Sequence, residues 1–170
     1  MKPLLVAGFM RSVPIGTRFA LYPSNKGCMV DKFKRKIFLV DDDSFSLTMY
    51  TAFLDAQGYK NIMGFSSGEA VLEMLKEEPD IILLDHQPGV LTGLEILEKI
   101  KRYDPNIYVV FISGRYDKKM GIEAVKGGAF DYITKEAALM PKILEVMNRI
   151  FTVQDYLIRI HPKPSRFFLI

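Results

Sequence analysis

From residue 36 onward, short apolar runs alternate with longer stretches in which apolar residues recur every three or four positions. A short apolar run is typical of a strand buried on both faces of a parallel sheet, and the longer spacing predicts an amphipathic helix. The alternation predicts a doubly wound α/β domain with right-handed crossovers. The predicted strands are 37–40, 61–65, 81–84, 107–112 and 130–134, and the predicted helices are about 44–58, 67–78, 94–104, 120–126 and 143–151.

The first two helices have predicted starts at serine residues. Ser44 and Ser67 stand just before the apolar spacing begins, where a hydroxyl can accept a hydrogen bond from a free backbone N–H group. Pro79 ends the second helix, because proline lacks the backbone donor that a helix interior needs. In the first helix, the apolar residues at helical spacing are Phe45, Met49, Phe53 and Leu54.

Polar residues that can bind a ligand come directly after four of the predicted strands. The first strand is followed by the acidic run 41–43, the third by Asp85, the fourth by Ser113 and the fifth by Lys135. Any one of these alone is most simply explained as a solvated strand end. Because ligands bind at the carboxyl ends of the strands in such sheets, their joint occurrence indicates a site.

The residue types in this set are suited to phosphoryl transfer. Two carboxylates ~4 Å apart repel by about 4 kcal/mol at an effective dielectric near 20. Mg²⁺ relieves such repulsion, since it prefers oxygen ligands and keeps several waters. Lys135 and Ser113 can donate hydrogen bonds to phosphoryl oxygens, which leaves Asp85 as the candidate nucleophile.

Five short motifs lie within residues 36–151. They are Val40-Asp41-Asp42, Asp85 after Ile81–Leu84, Gly93-Leu94-Glu95, Ser113-Gly114 and Gly128–Lys135. With these motifs the segment resembles the receiver domain of bacterial two-component response regulators. The resemblance implies a flavodoxin-like (βα)5 fold, with a central five-stranded parallel sheet in the order 2-1-3-4-5. It also implies a cytoplasmic protein.

The resemblance implies a phosphorylation site with a bound metal ion. Asp85 would accept a phosphoryl group from a histidine kinase or a histidine phosphotransfer protein. Asp42, Asp85 and the backbone carbonyl of Gln87 would bind Mg²⁺, with Asp41 acting mainly through a bound water. The chain would therefore be a phosphoacceptor and not a classical enzyme, although it could react with small phosphodonors and lose the phosphoryl group by itself.

The resemblance also implies roles for residues around the phosphoryl group. Ser113 and Lys135 would contact its oxygens, and Ser113 together with Tyr132 would form the switch that reports phosphorylation. Gln87 and Arg115 fall where family members vary the lifetime of the phosphoryl group. A downstream protein target would bind the face formed by the fourth helix, the fifth strand and the fifth helix.

Three positions depart from the family pattern, the first being Pro88, which stands three residues after Asp85 where the family's proline usually comes four residues on. The active-site lysine is usually followed by a cis proline, but here Glu136 follows Lys135. A cis bond before a residue other than proline costs about 3–4 kcal/mol, which favours a trans bond and a different path for the following loop. Thr92 stands before Gly93, where an acidic or amide residue is common.

The charge of the chain separates a predicted domain from two ends. The formal net charge is +3, but residues 36–151 hold 13 basic and 18 acidic side chains. The basic excess lies in residues 1–35 and 152–170, the first of which is expected to be a poorly structured extension. The longest uncharged stretch, 44–54, is too short to cross a membrane.

The segment after residue 151 predicts an extended helix. Val153, Tyr156, Leu157 and Ile160 continue the helical spacing, so the fifth helix is expected to reach about residue 160. An apolar stripe of this kind needs a cover, which could be packing back on the same chain, or a homodimer or partner contact that uses the extension and the target-binding face. The 19 residues after position 151 are too few for a helix-turn-helix module, which favours a stand-alone receiver without a DNA-binding module.

Two alternatives remain open. The chain could be a pseudo-receiver that is never phosphorylated and acts as a protein-interaction module. A phosphatase of the haloacid dehalogenase type also uses an Asp-x-Asp motif, then a serine, then a lysine. Its nucleophile would be Asp41, which leaves Asp85 without a role, and the further acidic motif that it needs is missing.

Overall fold

The computed structural model describes residues 31–85, 91–114 and 117–160. Five parallel strands form one sheet in the order β2-β1-β3-β4-β5, which confirms the predicted fold class. The strands are β1 (Ile37–Val40), β2 (Ile62–Phe65), β3 (Ile81–Asp85), β4 (Tyr108–Ser113) and β5 (Asp131–Thr134). The helices are α1 (Ser44–Ala56), α2 (Gly68–Glu73), α3 (Gly93–Tyr103), α4 (Lys118–Lys126) and α5 (Leu139–Ile160).

The central strands are apolar throughout because both faces of the sheet are covered. In β1, Ile37 and Leu39 face a core shared with α1 and α5, whereas Phe38 and Val40 face a core shared with α2, α3 and α4. All four side chains are buried. Their continuous apolar run is therefore the pattern expected of a strand between two helical layers.

Helix α1 differs from the prediction in its cap and in its buried face. Asp43, not Ser44, is the N-cap, and its carboxylate accepts hydrogen bonds from the backbone N–H groups of Phe45 and Ser46 at 3.2 Å each. A carboxylate also interacts favourably with the positive end of the helix dipole. Phe45 and Met49 are exposed, and the fully buried residues of α1 are Tyr50 and Leu54.

Helix α2 is shorter than predicted. Ser67 caps it as expected, accepting a hydrogen bond from the N–H of Ala70 at 3.2 Å. The α-helix ends at Glu73, and a 3-10 turn over Leu75–Glu77 follows. Glu78 then takes a left-handed conformation with φ of 54°, which turns the chain before β3.

Both ends of the domain continue beyond the predicted core. Residues 31–35, which the sequence analysis assigned to the extension, pack on the domain through Phe33 against Tyr59 and through an Arg35–Asp80 ion pair of 2.6 Å. Helix α5 continues to Ile160, as its apolar spacing predicts. Residues 1–30 and 161–170 lie outside the described part of the chain. Within the described ranges, no helix has the length and apolarity needed to cross a membrane.

Gly68 allows α2 and α3 to pack closely, so we expect Gly68→Ala to lower the free energy of unfolding by about 1–3 kcal/mol. A Cβ added there would lie 1.8 Å from Cδ1 and 2.7 Å from Cγ1 of Ile96, a buried residue of α3. Urea unfolding measures the loss.

Ile96→Val provides the control, because it removes the methyl group that the new Cβ would meet. Alone it should cost about 0.5–1.5 kcal/mol. Combined with Gly68→Ala, it should give a total loss smaller than the sum of the two single losses. Simple additivity would contradict close packing at this position.

Candidate functional site

The register of the sheet brings the predicted site residues to one edge. In each pair of neighbouring strands, the last paired residues stand at the same level, so the residues that follow them emerge together. Asp41 follows Val40, and Lys135 follows Thr134. The terminal pairs are Val40–Leu84, Asp85–Ile112 and Ser113–Thr134.

Backbone hydrogen bonds continue the sheet into the site. The N–H of Asp41 donates to the carbonyl of Phe65 at 3.1 Å, and the N–H of Lys135 donates to the carbonyl of Ser113 at 2.7 Å. The starting points of these two side chains are therefore fixed by strand geometry and not by flexible loops.

Lys135 joins two carboxylates at the centre of the site. Its Nζ lies 2.7 Å from Oδ2 of Asp41 and 2.9 Å from Oδ2 of Asp85. Asp41 is completely buried and Asp85 is 7% exposed, whereas a quarter of the Lys135 side chain reaches solvent. Charge-assisted hydrogen bonds of this kind compensate the cost of burying the two carboxylates.

The acidic residues at this edge fit a divalent cation. Carboxylate oxygens of Asp41, Asp42 and Asp85 all lie within 4.8 Å of one another. Oδ1 of Asp85 is buried and has no hydrogen-bond partner among the described residues. Three carboxylates beside one ammonium leave negative charge in excess, and an all-oxygen donor set is the one that Mg²⁺ prefers.

Burial and the neighbouring charges perturb both partners of the central ion pair. Burial raises the pKa of Asp85 above its usual value, and the charge of Asp41 adds to this, while the hydrogen bond from Lys135 acts in the opposite direction. Burial disfavours the charged form of Lys135, but the hydrogen bonds to Asp41 and Asp85 outweigh it and raise the pKa of the ammonium. Lys135 is therefore held in its cationic form.

Asp43 and Tyr50 also belong to the surroundings of the site. Asp43 is part of the predicted acidic run, whereas sequence reasoning gave Tyr50 no role. Asp43 accepts a hydrogen bond from the hydroxyl of Ser46 at 2.8 Å, and this bond lowers the pKa of its carboxyl. Tyr50 is buried, which raises the pKa of its phenol, and the positive charge of Lys135 acts in the opposite direction.

The two predicted switch residues lie on neighbouring strands. Ser113 is buried at the end of β4. Tyr132 in β5 stacks on Phe111 with a ring-centroid distance of 6.1 Å and an interplanar angle of 20°. A Cβ at Gly121 of α4 would lie 3.3 Å from this ring, so Tyr132 packs closely against α4. Gln87 and Arg115, the other two predicted site residues, lie outside the described residues.

The turn after the site contains no cis bond. Cis peptide bonds are absent from the described ranges, so the Lys135–Glu136 bond is trans. This agrees with the energetic preference of residues other than proline.

Helix α3 begins with a capping box in which Thr92 and Glu95 exchange hydrogen bonds.

A wide cavity of about 1200 Å³ lies at the opposite end of the sheet, beneath the last turns of α5. Its cationic groups already have partners: Arg35 is paired with Asp80, and the ammonium of Lys101 donates to the carbonyls of Pro105 and Ile107. Among the described residues, the acidic side chains that lie close enough together to hold a metal ion are Asp41, Asp42 and Asp85 at the carboxyl edge. The chemistry therefore favours the carboxyl edge as the functional site.

Comparison with known proteins agrees with the acidic site at the carboxyl edge of the sheet. The profile of the family described as response regulator receiver domain matches residues 37–157. The chain is 29% identical over 118 residues to the chemotaxis protein CheY of Thermotoga maritima, a match that covers 68% of this chain and 97% of CheY. It is 35% identical over 101 residues to the nitrogen assimilation regulatory protein NtrX of Azorhizobium caulinodans, covering 58% of this chain and 22% of NtrX.

A solved structure agrees with these relatives. The response regulator receiver domain protein from Clostridium thermocellum superposes with a TM-score of 0.66 at 27% identity, covering 72% of this chain and 98% of that one. Because the chain spans only about a fifth of NtrX, the likeness concerns a receiver domain and no other part of such longer proteins. The chain therefore belongs to the response regulator receiver domain family of two-component signalling proteins.

Proposed function

We propose that this receiver takes a phosphoryl group on Asp85 from a histidine kinase or a histidine phosphotransfer protein. Receiver domains in general are signalling phosphoacceptors that bind Mg²⁺ in an acidic pocket. The observation that carries the proposal is the position of Asp85. One oxygen of its carboxylate lies 2.9 Å from the Lys135 ammonium, and the second, buried oxygen has no hydrogen-bond partner among the described residues. Asp41 and Asp42 would hold Mg²⁺ together with Asp85.

The reaction forms one bond and breaks one. A carboxylate oxygen of Asp85 attacks phosphorus, and the bond from phosphorus to the donor nitrogen or oxygen breaks, with its electron pair leaving on the donor. When bound, Mg²⁺ would neutralise charge on the carboxylates and on the transferring group. Lys135 exchanges its hydrogen bond to Asp85 for one to a phosphoryl oxygen, and the Ser113 hydroxyl donates to another.

Phosphorylation would change partner binding through the face formed by α4, β5 and α5. Ser113 ends β4 next to this face, and Tyr132 on β5 is part of it and packs against α4 at Gly121. The added charge would favour the arrangement in which Ser113 and Lys135 contact the phosphoryl group. The free-energy difference between the two pre-existing conformations of the receiver would then change by the difference in their interaction with the phosphoryl group.

Incubation with acetyl phosphate and Mg²⁺ is expected to add one phosphoryl group to Asp85, detected by intact mass and by peptide mapping. Asp85→Asn should abolish the labelling, and Lys135→Met should slow it, because the transferring charge then lacks its ammonium partner. Chelation of Mg²⁺ should prevent it.

Two outcomes would contradict this assignment. Labelling that survives in Asp85→Asn but disappears in Asp41→Asn would point to phosphatase chemistry of the haloacid dehalogenase type. A folded wild-type protein that is never labelled would be a pseudo-receiver. Glu98→Gln, which alters only an exposed ion pair with Arg102 on α3, is the matched control and should be labelled normally.

Asp85→Asn should raise the free energy of unfolding when divalent cations are absent. The folded protein binds the Asp85 proton more tightly than the unfolded chain, so the contribution of this group to wild-type stability falls as pH rises above about 4, the usual pKa of Asp. The gain in the free energy of unfolding from Asp85→Asn should therefore be close to zero below about pH 4 and should grow as the pH rises above that value.

Mg²⁺ should reverse this order, since it stabilises wild type by about 1.4 kcal/mol at ten times its Kd. Urea unfolding in EDTA and in Mg²⁺ measures both effects. Asp55→Asn, which alters an exposed carboxylate on α1, should change stability by less than about 0.5 kcal/mol in either buffer. A cation-free Asp85→Asn variant less stable than wild type at neutral pH would contradict the electrostatic argument.

We also propose that the extension of α5 forms a homodimer contact. Val153, Tyr156, Leu157 and Ile160 are between 38% and 62% exposed and repeat at the spacing of one helix face. Tyr156→Glu should raise the dimer dissociation constant at least about ten-fold, equivalent to about 1.4 kcal/mol. Asn148→Glu, at an exposed position of α5 two turns before Tyr156, is the control. A monomeric wild-type mass in sedimentation at high concentration, with and without a phosphoryl analogue, would rule out the dimer.

A further inference from the structure

The turn between β5 and α5 holds the backbone of Lys135 on both sides. On the β4 side, the N–H of Lys135 donates to the carbonyl of Ser113 at 2.7 Å. On the other side, the N–H of Glu136 donates to the carbonyl of Thr134 at 2.9 Å and closes a tight turn around Lys135. The residue after Lys135 therefore takes part in fixing the point from which its side chain leaves the backbone.

The Glu136 side chain bridges the two elements that this turn connects. Its Oε1 accepts a hydrogen bond from the Thr134 hydroxyl at 2.7 Å, and its Oε2 lies 2.9 Å from Nζ of Lys142 in the first turns of α5. These two partners lower the pKa of the Glu136 carboxyl, so it is ionised at neutral pH. One carboxylate thus spans the turn that carries Lys135.

A second ion pair connects the same strand and helix elsewhere. Asp131, at the amino end of β5, lies 2.6 Å from Arg149 of α5. Both pairs can hold α5 against β5, but only Glu136 is bonded across the Lys135 turn. Variants that break one pair or the other can therefore distinguish a general effect on α5 packing from a specific effect on the position of Lys135.

We infer that Glu136 is a positioning residue for Lys135: by bridging Thr134 and Lys142, it holds the trans turn in the form that places the ammonium between Asp41 and Asp85. No contact of Glu136 with the phosphoryl group is involved. The inference rests on the proposed function for its kinetic test, and a second measurement is independent of phosphorylation.

The kinetic test compares Glu136→Ala with wild type in labelling of Asp85 by acetyl phosphate and Mg²⁺. A displaced ammonium should lower the maximal rate by roughly ten-fold, because misplacing a catalytic group by about 1 Å can cost that much or more. The donor concentration at half-maximal rate should change little. Glu136→Gln, which keeps an acceptor for Thr134 but loses the ion pair, should recover part of the rate.

The matched control is Asp131→Asn, which breaks the other ion pair between β5 and α5. It should be labelled at the wild-type rate even if its thermal midpoint falls as far as that of Glu136→Ala. Equal losses of rate in the two variants would show that α5 packing alone is responsible, and would overturn the inference. A wild-type rate in Glu136→Ala would overturn it as well.

The independent measurement is the reductive methylation rate of Lys135, followed by mass spectrometry of its peptide. Release of the ammonium from its carboxylates should make Lys135 react faster in Glu136→Ala and not in Asp131→Asn. If wild type is never phosphorylated but this difference appears, the proposed function fails and the positioning role stands. If Lys135 reacts at the same rate in all three proteins, the positioning role is refuted.

Discussion

The hydrogen bonds from Lys135 to Asp41 and Asp85 are the interaction on which this domain depends. Among the described residues, the buried polar side chains are those of Asp41, Asp85 and Ser113, and the rest of the core is apolar or aromatic. An unpaired carboxylate in such a core would be strongly destabilising. The parallel sheet resolves this by bringing a lysine 94 residues from Asp41 in sequence to the same edge.

The same interaction leaves the site incompletely neutralised, and this is what makes it useful. One ammonium pairs with two buried carboxylates, a third carboxylate, that of Asp42, lies nearby, and one oxygen of Asp85 has no hydrogen-bond partner among the described residues. A fully paired cluster would gain little from a cation or a phosphoryl group. Here the mutual repulsion of the carboxylates would contribute to the binding energy of a cation, because low local polarity strengthens every charge interaction.

The sheet and its site could be predicted because their signals are local and repeated. A strand buried on both faces must be apolar at every position, and the first polar residue after it marks the carboxyl edge, as at Asp41 and Asp85. The face of α1 could not be predicted in the same way. Its apolar residues surround the helix, so Phe45 and Met49 fit the helical spacing as well as Tyr50 does, and only packing against β1 selects among them.

The cap of α1 was also open to two interpretations, because Asp43 and Ser44 are both common N-cap residues. Asp43 replaces Ser44 as the cap because its carboxylate reaches two backbone N–H groups and the Ser46 hydroxyl at once. The net charge of +3 was no guide to the acidic site, since it averages an acidic domain with basic ends.

The trans bond after Lys135 shows how side chains can replace a backbone constraint. A proline restricts the chain covalently, whereas Glu136 restricts it through a hydrogen bond to Thr134 and an ion pair with Lys142. Each of these exposed contacts is weak alone, but together they join the end of β5 to the start of α5. The pocket and the first turns of α5 are thereby connected through consecutive bonded groups, from the carboxylates through Lys135 and Glu136 to Lys142. A change in the bonds of Lys135 at the pocket therefore has a short physical route to a helix of the proposed partner-binding face.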